Sequence, residues 1–235
     1  MSPSWWWMPV DGAAHGAALD REMVLSLVVM GGLFVLATVV LIVSAVKGPA
    51  RDRVRFFGAG SLVVITLVFG WLLIRAERMW AVERFTGADA TAMQVEVVGE
   101  QFVWYFRYPG ADARFGSVRP DLVDAPGGNP LGLDKKDPYA ADDRVTSELV
   151  LPVDREVDLR LRSLDVVHGF FVPGMRLKQN AMPGMTLHVH FTPSVIGEYP
   201  IVCSQVCGSG HYRMQALMRV VSREDFEKWA AEGGK

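Results

Sequence analysis

Two long uncharged stretches limit what this chain can fold into more than any other feature. Val24 to Val46 runs 23 residues, and Phe56 to Ile74 a further 19, without an Asp, Glu, Lys or Arg. About 20 apolar residues span a bilayer as a helix, so transmembrane helices are expected over 24–46 and 56–75. The first run is too long for a signal-peptide core, has no basic segment before it and no convincing cleavage site behind it, and reads as a retained anchor. Between the runs, Lys47-Gly-Pro-Ala-Arg51-Asp-Arg53-Val-Arg55 carries four positive charges against one negative. Short loops rich in Lys and Arg stay in the cytoplasm, which makes 47–55 a cytoplasmic loop. The N-terminal segment 1–23 and everything after the second span are then extracytoplasmic. Arg75 and Arg78 can snorkel to the interface. Trp5, Trp6, Trp7, Trp71 and Trp80 fall near the expected span ends, where aromatic belts form.

Beyond Thr86 the continuous apolar pattern gives way to short alternating runs. Met93–Val97, Ser147–Leu151, Val157–Leu161 and Met185–Phe191 repeat every second residue, as half-buried strands do. Pro-Gly steps at 109–110, 126–127, 173–174 and 183–184 separate them. Short strands so punctuated predict a β-sandwich or Greek-key barrel over 83–235, a length sufficient for one core. One C-terminal helix is expected, with Ser222 as N-cap, Glu224 and Asp225 at the positive end of the dipole, and Phe226 and Trp229 as its apolar stripe. Residues 109–143 are rich in Gly, Pro and Asp with little periodicity, the mark of either a docking segment or an inert insertion. The region from Glu83 onward holds 21 acidic and 17 basic residues. A net charge of −4 argues against a nucleic-acid surface, and suits either a face for a basic partner or an ordinary solvated surface.

The chemistry concentrates near the end, in Cys203-Ser-Gln-Val-Cys207-Gly-Ser-Gly-His211-Tyr-Arg-Met214. These are the chain's only two cysteines. Thiolate, thioether and imidazole are donors that favour copper. A single cysteine with His and Met would suit a mononuclear blue-copper site, whereas two so close suggest sulfurs bridging a pair of metal ions. A disulfide is permitted outside the cytoplasm, but leaves His211 and Met214 unexplained. Zinc is a weaker fit because Met is a poor zinc ligand and no second CxxC pair exists. The absence of CxxCH excludes covalent c-type haem. A further donor is needed, and His168, His188 and His190 compete for it. His188 and His190 share one face of the expected strand 185–191. His168 ends a strand, where loop-borne ligands of a barrel meet, and periodicity favours it only modestly.

The motifs Cys203-x3-Cys207-x3-His211-x2-Met214 and Ser163-x-Asp165-Val166-x-His168, with Phe171-Val-Pro173 and Ala181-Met-Pro183-Gly184, resemble subunit II of haem–copper terminal oxidases. The resemblance covers Pro9 to Val221 and implies a membrane-anchored all-β architecture: a two-helix transmembrane hairpin followed by a cupredoxin-like Greek-key β-barrel. It implies a binuclear copper centre (CuA) with Cys203 and Cys207 bridging and His168 and His211 capping. Met214 would be the axial ligand of one copper and the Gln205 carbonyl that of the other. It further implies an electron relay of the respiratory chain in a bacterial inner membrane. Single electrons would come from cytochrome c or a similar donor and pass to haem in subunit I, where oxygen is reduced to water with proton translocation. Haem and further copper would belong to that partner subunit alone.

In Gly99-Glu-Gln101-Phe102-Val-Trp104-Tyr105-Phe106, which resembles the family's aromatic stretch, Phe102 stands where the family has the tryptophan at which electrons enter, and Trp104 keeps a second aromatic position. Gln205 replaces a Glu whose side chain holds magnesium at the subunit interface, and Asn180 replaces an Asp nearby. A neutral amide is a weaker ligand for a hard cation. These departures leave a CuA-containing nitric oxide reductase subunit as an alternative. A membrane-tethered copper-binding or chaperone module is the alternative from another class.

Overall fold

The computed structural model describes residues 8–47 and 51–232, except for the side chains of 51–57 and 83. Trp5, Trp6 and Trp7, with positions 48–50 of the basic loop, lie outside the described residues. In chain order the elements are α1 (Gly16–Lys47), α2 (Arg51–Phe85), β1 (Met93–Glu100), β2 (Val103–Tyr108), β3 (Arg144–Thr146), β4 (Glu148–Pro152), β5 (Val157–Ser163), β6 (His168–Val172), β7 (Leu177–Ala181), β8 (Leu187–Phe191), β9 (Gly197–Cys203), β10 (Gln215–Val221) and α3 (Arg223–Ala231). The chain forms two compact units, residues 18–86 and residues 1–17 with 87–235.

In the first unit, α1 and α2 are each long and apolar enough to cross a membrane. Both continue past the uncharged runs, α1 starting at 16 rather than 24 and α2 ending at 85 rather than 75. Hydropathy marks the lipid-facing middle of such a helix, whereas backbone hydrogen bonding carries it on through charged turns. Arg75 donates to Glu22 through Nε at 3.1 Å and a terminal nitrogen at 2.6 Å, and lies over the Trp71 ring at 5.3 Å. Such a charge-assisted pair satisfies both groups at once.

The second unit is a sandwich of two five-stranded sheets, ordered β3-β2-β1-β5-β8 and β4-β10-β9-β6-β7. Each sheet contains one parallel pair, β1 with β5 and β10 with β4. Alternate side chains meet between the sheets. Val95, Val97, Phe106, Leu159 and Leu161 come from one, and Leu149, Phe170, Val172, Ile201 and Met218 from the other, all without solvent exposure. The N-terminal segment joins this unit: Gly12 donates to the Gly174 carbonyl at 2.8 Å and accepts from Ser194 at 2.7 Å. A Cβ on Gly12 would stand 2.7 Å from the Tyr199 ring, so only glycine fits there. Ala13 is buried in the same core.

The irregular stretch 109–143 is held by polar contacts, which hydrophobic periodicity cannot reveal. The buried Arg107 guanidinium engages Asp143 and the Gly116 carbonyl, and reaches Glu96 at 3.3 Å. The Phe115 ring lies against both Arg107 and Arg160 at 5.2 and 5.1 Å. Asn129 bonds the Leu122 and Leu133 carbonyls and the Leu133 amide, bending the segment back on itself. At the C-terminus, the Ser222 hydroxyl accepts from the Asp225 amide at 3.1 Å, capping α3 as expected. Trp229 of that helix meets Tyr108 edge-on, with ring centroids 5.0 Å apart.

Candidate metal centre

Three connections meet at one end of the sandwich: the β1–β2 turn, the β5–β6 loop and the β9–β10 loop. Cys203 ends β9 and lies beside Phe170 of β6, which brings it next to His168 at the start of that strand. The chain then makes a ten-residue excursion, and its base is closed by the Cys203 amide donating to the Met214 carbonyl at 3.1 Å. Cys207, His211 and Met214 are thereby folded back over Cys203. The same spacing on a helix or extended strand would spread them apart.

The two sulfurs stand 3.8 Å apart, and the Met214 Sδ is 3.8 Å from the Cys207 Sγ. The His211 Nδ1 is 3.7 Å from the Cys207 Sγ, and the Gln205 carbonyl accepts from the Cys203 thiol at 3.1 Å. Both cysteines are buried and free. A disulfide needs about 2.05 Å between sulfurs, so the bonded alternative is not formed here. His168, Cys203 and Cys207 bring their donor atoms within 4.8 Å of one another.

His168 is completely buried, and its two nitrogens have different surroundings. Nε2 lies 2.8 Å from Asp165 Oδ1, whereas Nδ1 is buried with no hydrogen-bond partner. An orphaned buried nitrogen is costly and calls for a missing ligand. A carboxylate on Nε2–H directs the lone pair to Nδ1, the arrangement that orients metal-bound imidazoles. Burial opposes ionisation of Asp165, but hydrogen bonds from His168 and from the Gln101 and Val166 amides outweigh it and hold the carboxyl below its ordinary range. Burial and the neighbouring Cys203 push the Cys207 thiol up to about 11. A thiol so raised ionises readily only when a cation comes to it, and the thiol, thioether and imidazole donors gathered here fit copper.

Residues to which the sequence reading gave no role lock the site. Gln101 donates its amide to Asp165 at 2.8 Å and its side-chain nitrogen to the Cys207 carbonyl, tying the three loops together. A Cβ on Gly99 would sit 2.9 Å from His168, and one on Gly210 would sit 2.4 Å from the Phe102 ring. The Gly99-Glu-Gln101 and Cys207-Gly-Ser-Gly210 strings carried that signal, but close approach between separate loops is not legible in either alone.

Trp104, expected where electrons enter, is only 1% exposed, its ring edge-on to His168 at 5.8 Å and to Phe170 at 5.4 Å. Alternation along β2 turns it inward, against the His168 imidazole. Phe102, at the turn, is half-buried above Gly210. His188 and His190 lie on the other sheet and take no part in the cluster. Gln205 is exposed, and Asn180 pairs across β6–β7 with Gly169, beside the Gln205 amide.

Replacing Asp165 with asparagine is expected to weaken copper retention about 10–100-fold, because a neutral amide replaces the charged carboxylate that fixes the imidazole's tautomer. Competition against a copper chelator measures this, and unchanged retention would remove Asp165 from the site.

The family model for the periplasmic domain of cytochrome c oxidase subunit II matches residues 93–221. The alternative cytochrome c oxidase subunit 2 of Bradyrhizobium diazoefficiens is 30% identical over 96% of this chain and 83% of its own length. Cytochrome c oxidase subunit 2 of Thermostichus vulcanus is 34% identical over 60% of this chain, which spans only 33% of that protein's length. A solved periplasmic domain of cytochrome oxidase subunit II from Bradyrhizobium japonicum covers 63% of this chain and 94% of its own, at 24% identity and a TM-score of 0.45.

Proposed function

Because the chain belongs to the cytochrome c oxidase subunit II family, we propose that it is the electron-accepting subunit of a respiratory haem–copper oxidase. In this reading α1 and α2 anchor it in a bacterial inner membrane by spans at 24–46 and 56–75. The loop 47–55 is cytoplasmic, and segment 1–23 with domain 83–235 lies on the periplasmic side. The chain takes single electrons from cytochrome c or a similar donor and passes them to haem in subunit I, where oxygen is reduced to water and protons are translocated.

The observation that carries this reading is the orphaned His168 Nδ1 beside two free thiols 3.8 Å apart. Cys203, Cys207, His168, His211 and Met214, with the Gln205 carbonyl, would hold a binuclear copper centre. When bound, such a centre supplies a one-electron store whose charge is spread over both metals. The residues contribute rigidity: β6, β9 and β10 fix three donors, and Gln101 pins the loop bearing the others. A donor set that hardly moves lets an electron arrive and leave with little rearrangement. Burial of both cysteines keeps water from the sulfurs, and the half-buried Phe102 covers the side open to a donor.

Copper analysis and electron paramagnetic resonance of the purified chain test the relay reading against a chaperone. Two coppers and a mixed-valence signal are expected, whereas one copper with an ordinary type-2 signal would support the copper-binding module. Gln205→Ala should leave that signal unchanged, since only the main-chain carbonyl is used. Gas uptake by the complex tests the acceptor: nitric oxide reduction without oxygen consumption would identify a nitric oxide reductase instead.

A further inference from the structure

We propose that His188 and His190 form a second site, separate from the cysteine cluster, for a divalent transition ion such as Zn²⁺, Ni²⁺ or Cu²⁺. The two residues lie two apart on β8, the edge strand of its sheet. Alternation puts both imidazoles on the outward face, with Val189 between them buried in the core. Residues so spaced have Cα atoms about 7 Å apart along one strand face, and two long imidazole arms of that separation can close on one ion.

Each imidazole is already oriented by a carboxylate on or beside the neighbouring strand β5. His188 Nδ1 lies 2.9 Å from Asp158 Oδ2, and His190 Nδ1 lies 3.1 Å from Glu156 Oε1. A ring that donates Nδ1–H to a carboxylate holds its lone pair at Nε2, in the neutral form that binds metal. His190 Nε2 is buried and has no hydrogen-bond partner. Across the described residues, the other buried imidazole nitrogen without a partner is His168 Nδ1, in the cysteine cluster. His190 and His168 thus share one pattern: a carboxylate on one nitrogen and an unsatisfied buried nitrogen on the other.

The surrounding charge favours a cation. Asp158 and Glu156 face the pair, and Glu156 also accepts from the Asp89 amide at 3.3 Å. Arg160 is the cross-strand partner of His188, but its guanidinium lies over the Phe115 ring at 5.1 Å. Two carboxylates against one arginine leave the patch negative. With two nitrogen donors from the chain, water would complete the coordination, and imidazole suits zinc, nickel and copper alike.

The test uses the full-length, copper-loaded protein in detergent, titrated with Ni²⁺ so that the cysteine cluster is already filled. Calorimetry should show saturable uptake of one further ion per chain. Nickel should broaden the His188 and His190 resonances and leave the visible absorption of the copper centre unchanged. His188→Ala, at an exposed position that tolerates substitution, should abolish uptake, as should His190→Ala. Asp158→Asn should weaken uptake about tenfold. Absence of saturable uptake in the wild type, or wild-type uptake by His188→Ala, would overturn the site.

Discussion

Cys207→Ser is expected to abolish the copper centre while leaving the sandwich folded. The Cys207 sulfur is the hub of the cluster, 3.8 Å from Cys203 Sγ and from Met214 Sδ and 3.7 Å from His211 Nδ1. A serine hydroxyl is a hard donor that does not ionise near neutral pH, and cannot replace a bridging thiolate. Copper should fall from two ions per chain to one or none, the mixed-valence signal should vanish, and electron transfer through the chain should stop. The fold should lose only the cost of burying a hydroxyl without a good partner, about 1–3 kcal/mol. Metal analysis, resonance spectroscopy and a thermal melt on one sample separate these effects. A serine variant that keeps two coppers and an unchanged signal would sink the bridging role.

Trp104→Ala should be the most destabilising single change among the aromatic residues of the β1–β2 hairpin. The side chain is fully enclosed and forms one wall of the His168 pocket, edge-on to that imidazole and to Phe170. Removing a buried tryptophan costs about 3–5 kcal/mol. For a chain of this size that lowers the melting temperature by roughly 10 °C. His168 loses its lateral support with it, so copper retention should weaken in the same variant. Trp104 Nε1 makes no hydrogen bond, so Trp104→Phe sacrifices no polar partner and should recover much of the stability. Phe102→Ala should behave in the opposite way, with a small stability loss and slower electron acceptance from the donor. A Trp104→Ala variant as stable as wild type but slow to accept electrons would reverse the assignment of these two residues.

The contrast between Phe102 and Trp104 shows where sequence reading stops. Both sit in one aromatic run, and the resemblance marks both as places where electrons enter. Which of them faces a partner depends on the register of β2 against β1, where Gly99 opposes Trp104 and leaves its ring room beside His168. The same limit applies to residues 109–143. Their order rests on Arg107, Asp143, Phe115 and Asn129, single long-range contacts with no repeating pattern. It applies again to Gly12 and Ala14, which precede α1 yet complete the sandwich against Gly174, Thr192 and Ser194.

The sequence by itself determined the two membrane-length helices, the β-rich domain after them and four of the candidate copper donors. Each follows from local spacing: uncharged runs longer than a bilayer is thick, alternation with period two, and a twelve-residue string of soft ligands. Periodicity favoured His168 over His188 and His190 only modestly and the family resemblance picked it out, whereas tertiary structure set it beside the thiols, left its Nδ1 orphaned and packed the buried Trp104 against it. Those outcomes depend on which strands lie side by side, and strand pairing is decided by the joint burial of many distant side chains rather than by any neighbouring residue.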